Sequence, residues 1–200
     1  MRRVLPAALV AAVLLLGGCT SDDTLPGEAK IDVDTPRLVE MKKDAGVADC
    51  APGDAAPVDG GLPAVTLPCF GGGPSVDLSS LRGPLVINLF AATCGPCRKE
   101  MPVLQQFHER YGDQVGVLGV DYMDVQTEPA MQLVKRSGVT YPLLADPQSD
   151  LQGAAPFPNL IGLPLFAFVA ADGTVQLASG GVDSLDELVE LANDHLGTDL

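Results

Sequence analysis

The stretch VINLFAATCGPCRKEMP, residues 86–102, decides the fold. With Leu85 it opens on a nearly continuous apolar run, LVINLFA (85–91), as expected of a strand buried on both faces. Cys94 follows at once. From Gly95 the pattern turns helical, with Met101, Leu104 and Phe107 on one stripe, Gly112 as a stop and Pro102 as a source of bending. The arrangement leaves three readings for Cys94 and Cys97: a redox couple, a metal clamp, or ordinary core residues. A sulfur at a helix N-terminus meets free N–H groups and the positive end of the dipole, which favour a thiolate. The thiolate is the attacking species in disulfide exchange. Cys97, one turn further on, is placed to attack a mixed disulfide formed on Cys94.

The pattern extends in both directions from this stretch. LPAVTL (62–67) and SVDL (75–78) read as short strands about the glycines at 71–73. VGVLGVDY (115–122) is a second apolar strand, EPAMQLVKRSG (128–138) a helix with Pro129 in its first turn, and YPLLAD (141–146) a short strand. LFAFVAADGTVQLAS (165–179) is a hairpin turning at Asp172-Gly173. DSLDELVELANDHLG (183–197) is an amphipathic helix with Ser184 and Glu187 as a capping box and Gly197 at its end. PRLVEMKKDA (36–45) suits a short helix capped by Thr35. The order β-α-β-α-β followed by β-β-α implies parallel crossovers and then antiparallel strands.

The N-terminus reads as an export signal over residues 1–18. Arg2 and Arg3 precede 13 apolar residues, Val4–Leu16, too few for a membrane span of about 20. Gly17 and Gly18 then lead into Cys19. Removing this segment takes away two arginines and no acid, which moves the formal charge from −14 to −16. So acidic a chain, without a basic run, is not built for nucleic acid. Five cysteines, 19, 50, 69, 94 and 97, leave an odd one. Cys50 and Cys69 enclose 18 residues rich in Pro, Gly, Ala and Asp. Pairing them would stabilise the fold by about 3 kcal/mol in the chain-entropy model, and free thiols are the alternative. A four-cysteine zinc site needs two close pairs, and only one exists. We expect a tether and N-terminal arm over 19–61 and a folded domain over 62–200.

The CGPC segment followed at a distance by IGLPLFAFVAADGTV (161–175) resembles the thioredoxin superfamily, and within it the extracytoplasmic TlpA/ResA-like thiol-disulfide oxidoreductases. Gly17-Gly18-Cys19 resembles a lipobox. The likeness covers about residues 62–197. It implies a thioredoxin-like α/β fold of three layers, with a central mixed sheet flanked by helices and an N-terminal β-hairpin extension. It implies catalysis by Cys94 and Cys97 and a cis proline at Pro164. Gly95, Pro96, Leu163 and Pro164 would then line the groove for the partner peptide. Thioredoxins carry a buried Asp six residues before the first cysteine, where this chain has Asn88. ResA-like proteins have a Glu three residues after the second, which matches Glu100 and assigns it proton transfer or tuning of the thiol pKa values. The partners implied are exported protein thiols or disulfides, a membrane electron donor or acceptor, and a lipid bilayer reached through acylated Cys19. That puts the protein outside the cytoplasm, on the outer face of the cell membrane, where disulfides persist. No cofactor is implied. This chain has no Trp, and Phe90 and Thr93 stand where family members often carry larger aromatics, which bears on partner choice.

Two other functions are weighed. A redoxin-type thiol peroxidase resembles P-x-x-x-T-x-x-C, but Ala91 stands where its threonine is needed. A metal-binding module using the C-x-x-C pair would want further soft ligands, and only Met101 is near. His108 reads as a solvated helix residue and His195 as a last-turn residue suited to the helix dipole.

Overall fold

In a computed structural model of the protein, residues 31–200 are described. The expected signal, Cys19 and the start of the tether lie outside them. Ile31–Leu200 form one compact unit. Its elements are α1 (Pro36–Ala45), β1 (Thr66–Leu67), β2 (Val76–Asp77), β3 (Leu85–Phe90), α2 (Gly95–Tyr111), β4 (Gly116–Tyr122), α3 (Thr127–Arg136), β5 (Leu143–Asp146), β6 (Leu165–Val169), β7 (Val175–Ser179) and α4 (Leu185–Leu196).

The five main strands run in the order β5-β4-β3-β6-β7. β3, β4 and β5 are mutually parallel, and β6 and β7 are antiparallel to their neighbours. β3 lies in the middle, and its alternation explains its unbroken hydrophobicity. Val86 and Phe90 face a core shared with Leu38 of α1, Met101 of α2, Met131 of α3 and Leu188 of α4. Ile87 and Leu89 face a second core with Leu67, Val76, Leu151 and Phe157. The helices therefore pack on one face of the sheet, and the β1–β2 hairpin with the coil around 147–163 covers the other. Each fully buried large side chain contributes about 1.5–3 kcal/mol. Gly119 of β4 allows this packing: a Cβ there would sit 2.5 Å from Leu143 Cδ2.

Local caps behave largely as their sequence suggests. Thr35 accepts the Leu38 N–H at 3.2 Å, and Gly46 closes α1 in the left-handed region. Ser184 accepts the Glu187 N–H, while Glu187 Oε2 accepts from Asp183 N–H, one residue before the expected donor. The hairpin 66–77 is antiparallel, with Thr66 opposite Asp77.

The boundary expected at residue 62 falls inside the compact unit. Val33, Leu38, Met41 and Val47 are buried in the helix-side core. The arm is also bonded in place: Ala48 N–H donates to Thr140 O at 2.8 Å, and Gly71 N–H to Val33 O at 2.8 Å. Cys50 and Cys69 form a disulfide that joins the arm to the strand-like run after β1. A polar, Pro/Gly-rich composition concealed this burial because only one side chain in three or four is used. His108 also departs from expectation: it is half-buried, with its ring edge-on to Tyr141 at 5.8 Å. His195 stacks on Phe168 at 4.7 Å.

Candidate active site

β3 delivers the chain to the carboxyl edge of the sheet, where Ala91–Thr93 turn it into α2. That turn is held from two sides. The Asp124 carboxylate, just past β4, accepts the Ala92 N–H, and the Arg98 guanidinium donates twice to Ala92 O, at 2.7 and 3.1 Å. Cys94 is thereby fixed as the N-cap of α2, its sulfur accepting the Cys97 N–H at 3.2 Å. Cys94 is half-buried, whereas Cys97 is fully buried. The two form a disulfide. The exposure difference makes Cys94 the sulfur a macromolecule can reach. Gly95 and Pro96 are exposed beside it.

The Leu163–Pro164 peptide is cis, as are Gly83–Pro84 and Ala155–Pro156. Pro164 is buried and Leu163 half-buried, immediately before β6, which pairs with β3 through Leu165 and Leu89. Gly181 lies between the two edges of the site: a Cβ on it would fall 3.6 Å from Pro164 Cγ, 3.9 Å from Pro96 Cβ and 3.2 Å from Glu100 Oε2. A pocket of about 430 Å³ opens here, lined by Gly95, Pro96, Lys99, Gly181, Val182 and Asp183.

Glu100, one turn beyond Cys97, is completely buried. Asn88 Nδ2 donates to Glu100 Oε1 at 2.9 Å, while Glu100 Oε2 has no hydrogen-bond partner. Burial raises the Glu100 carboxyl from 4.5 to about 7, against the opposing pull of the Asn88 hydrogen bond and the Val182 backbone amide. Tyr141 shares this region, fully buried with an unpartnered hydroxyl that burial and the Glu100 charge push upward. The position that holds an acid in thioredoxins thus carries an amide that grips an acid from the facing helix. A second buried carboxyl, Asp121 at the end of β4, is also raised, by burial and then by the Asp124 charge. Neither Asp121 nor Asp124 was singled out from sequence. The available signal was their place at the carboxyl end of a parallel strand beside the site.

The Glu100 shift has a definite sign. Between pH 4.5 and about 7 the folded chain binds the proton that the unfolded chain releases. The stabilisation is full below pH 4.5 and is lost as pH rises through 7, by about 3 kcal/mol for a shift of this order. Urea unfolding of the oxidised protein is therefore expected to show it losing about that much against a Glu100→Gln variant between pH 4.5 and pH 8. A stability gap that does not change with pH would remove the buried carboxyl from the account. Gly181→Ala tests the neighbouring contact. Its new methyl would place apolar surface against the already buried Oε2 and disfavour the charged carboxylate further, so the pH midpoint of disulfide exchange is expected to rise and the rate to fall a few-fold. An unchanged pH profile would mean that Glu100 does not serve the sulfurs.

Among the described residues no group of three or more His, Cys, Asp or Glu is arranged to hold a metal ion, and no helix is long and apolar enough to cross a membrane.

Comparison with known proteins gives concordant results. The profile of the AhpC/TSA family matches residues 58–178. The thiol:disulfide interchange protein CycY of Rhizobium leguminosarum bv. viciae is 30% identical over 104 residues, 51% of this chain and 53% of that protein. The thiol-disulfide oxidoreductase ResA of Oceanobacillus iheyensis is 26% identical over 124 residues, 60% of this chain and 62% of that one. This chain therefore spans less than two thirds of these curated relatives. Among solved structures, MTB DsbF, in mixed oxidised and reduced forms, superposes with a TM-score of 0.57 at 26% identity, covering 66% of this chain and 94% of that one. A thiol:disulfide interchange protein DsbE from Chlorobium tepidum superposes with a TM-score of 0.55 at 23% identity, over 68% and 95% of the two chains, which supports the fold.

Proposed function

The chain belongs to the AhpC/TSA family and has its thioredoxin-like fold, and from that premise we propose that it is a thiol-disulfide oxidoreductase acting on exported proteins through Cys94 and Cys97. The observation that carries the proposal is the asymmetric couple at the head of α2. One sulfur is half-exposed and accepts a helix N–H, the other is buried, and the two are already bonded.

In the reductive direction the Cys94 thiolate attacks a client disulfide sulfur, and one client thiolate leaves. Cys97 gives its proton to the Glu100 carboxylate and attacks the Cys94 sulfur of the mixed disulfide. The second client thiolate then leaves and takes the proton. The client gains two electrons and the enzyme ends as the Cys94–Cys97 disulfide. Gly-Pro between the cysteines is the thioredoxin dipeptide and favours this direction, the one used in cytochrome c maturation by ResA-like proteins. Gly95, Pro96, Leu163 and Pro164 seat the client strand. A signal over 1–18, acylation of Cys19 and a tether up to the compact unit hold the enzyme on the outer face of the membrane, where a membrane electron donor or acceptor recycles it.

The alternative is a redoxin-type thiol peroxidase, and Ala91 in place of the threonine of its P-x-x-x-T-x-x-C pattern argues against that chemistry here. The test is a paired assay. The reduced protein is expected to reduce insulin disulfides rapidly and hydrogen peroxide slowly. Peroxide turnover exceeding insulin reduction would reverse the assignment.

A further inference from the structure

The disulfide between Cys50 and Cys69 has surroundings that a passive staple does not need. Lys42 is 4% exposed, yet it reaches for a sulfur: its Nζ lies 3.3 Å from Cys69 Sγ. The same ammonium donates to Gly72 O at 2.8 Å and to Asp49 Oδ1 at 3.1 Å. Asp49 is 88% exposed in its side chain, which makes it a weak counter-ion for a buried cation. A neutral disulfide sulfur gains little from a neighbouring ammonium, whereas a thiolate gains a charge-assisted partner. The other sulfur has the opposite environment. Cys50 Sγ lies 3.1 Å from the Leu143 carbonyl oxygen, which suits a thiol donor and repels a thiolate.

Access is equally one-sided. A mainly apolar pocket of about 140 Å³ opens onto Cys50, walled by Val76, Leu81, Leu85, Gly116 and Pro142. Cys69 is not among its lining residues. At ~30 Å³ per water, it has room for roughly four water-sized groups. Leu85 and Gly116 are the first residues of β3 and β4, so this pocket lies at the end of the sheet opposite Cys94.

We propose that Cys50–Cys69 is a second, directional thiol-exchange site that admits small thiols with short, weakly polar bodies. The incoming thiolate bonds to Cys50 Sγ, the Cys50–Cys69 bond breaks, and Cys69 departs as a thiolate paired with Lys42. A second equivalent of the thiol releases Cys50 as a thiol and carries away the small disulfide, so two electrons enter the protein. The reaction cuts the covalent link between the arm and the hairpin. It is independent of the function assigned to Cys94 and Cys97.

The experiment uses the full chain with Cys94→Ser and Cys97→Ser, so that Cys50–Cys69 is its only expected disulfide. The protein is exposed under native conditions to β-mercaptoethanol or glutathione at matched thiolate concentration, quenched with acid, labelled with N-ethylmaleimide and mapped by peptide mass. Mercaptoethanol is expected on Cys50 with the maleimide on Cys69, in about tenfold or greater excess over the reverse. Glutathione, too large for the pocket, should react about tenfold more slowly. Lys42→Met should slow cleavage about tenfold, with Lys42→Arg retaining most of the rate. Adducts shared equally between the sulfurs, adducts mainly on Cys69, no cleavage of the native protein, or a Lys42→Met rate equal to that of the parent would each overturn the proposal. Should Lys42→Met fail to fold, the distribution of adducts in the protein that retains Lys42 decides the matter.

Discussion

A Cys97→Ala variant will accumulate covalently joined to its clients, while Cys94→Ser will join to nothing. The asymmetry follows from where each sulfur sits. Cys94 is half-exposed at the N-cap of α2, within reach of a second protein, and its sulfur accepts the Cys97 N–H at the positive end of the helix dipole, an arrangement that would favour a thiolate on reduction. Cys97 is fully buried, so its only accessible target is the Cys94 sulfur. Removing Cys97 leaves the first attack intact and deletes the second, and the mixed disulfide persists. Removing Cys94 deletes the nucleophile. Turnover with insulin should fall by about 10³-fold or more in both variants, the order expected when members of a reacting unit are lost. Non-reducing electrophoresis followed by mass spectrometry separates the two cases. Adducts on a Cys94→Ser protein, or their absence from Cys97→Ala, would reverse the roles.

Replacing both Cys50 and Cys69 by alanine should cost about 3 kcal/mol of stability, because the bond closes a loop of this size in the unfolded chain. In a protein of this length that corresponds to a fall of roughly 6–12 °C in Tm. Two alanines are preferable to one, since a single change leaves a free thiol. The loop is Pro/Gly-rich and contributes only Leu62 and Leu67 as large apolar side chains to the sheet-side core. Little packing compensates for the lost constraint. Calorimetry or urea unfolding measures it directly. A change below about 1 kcal/mol would mean that the arm is held by Leu38, Met41 and its backbone hydrogen bonds alone, without a contribution from the bond.

Much of this was legible before any coordinates. The unbroken apolar run of β3 required burial on both faces, and β3 is the central strand with Val86 and Ile87 in different cores. The helical spacing from Gly95 placed Cys97 and Glu100 on one side of α2. What stayed hidden depends on contacts between elements distant in sequence. Glu100 meets Asn88 across twelve residues, strand to helix, and only the packed sheet brings the amide to the carboxylate. Asp124 finds Ala92 from just beyond the next strand. Lys42, one of two adjacent lysines on a short polar helix, has nothing in its sequence context to distinguish it from a solvated residue. It is buried because the arm folds back over the 69–72 turn. The domain boundary was hidden in the same way, since only four apolar side chains of a polar segment carry the arm into the helix-side core.

Exchange at the head of α2 requires Cys94 to be an activated sulfur. The direct measurement is the rate of iodoacetamide alkylation of the reduced protein against pH, with the site of modification read by mass spectrometry. Cys94 should react with an apparent pKa well below the value of about 8.5 of an ordinary thiol, while Cys97 stays unmodified near neutral pH. A Cys94 midpoint at or above 8.5, or preferential alkylation of Cys97, would contradict it.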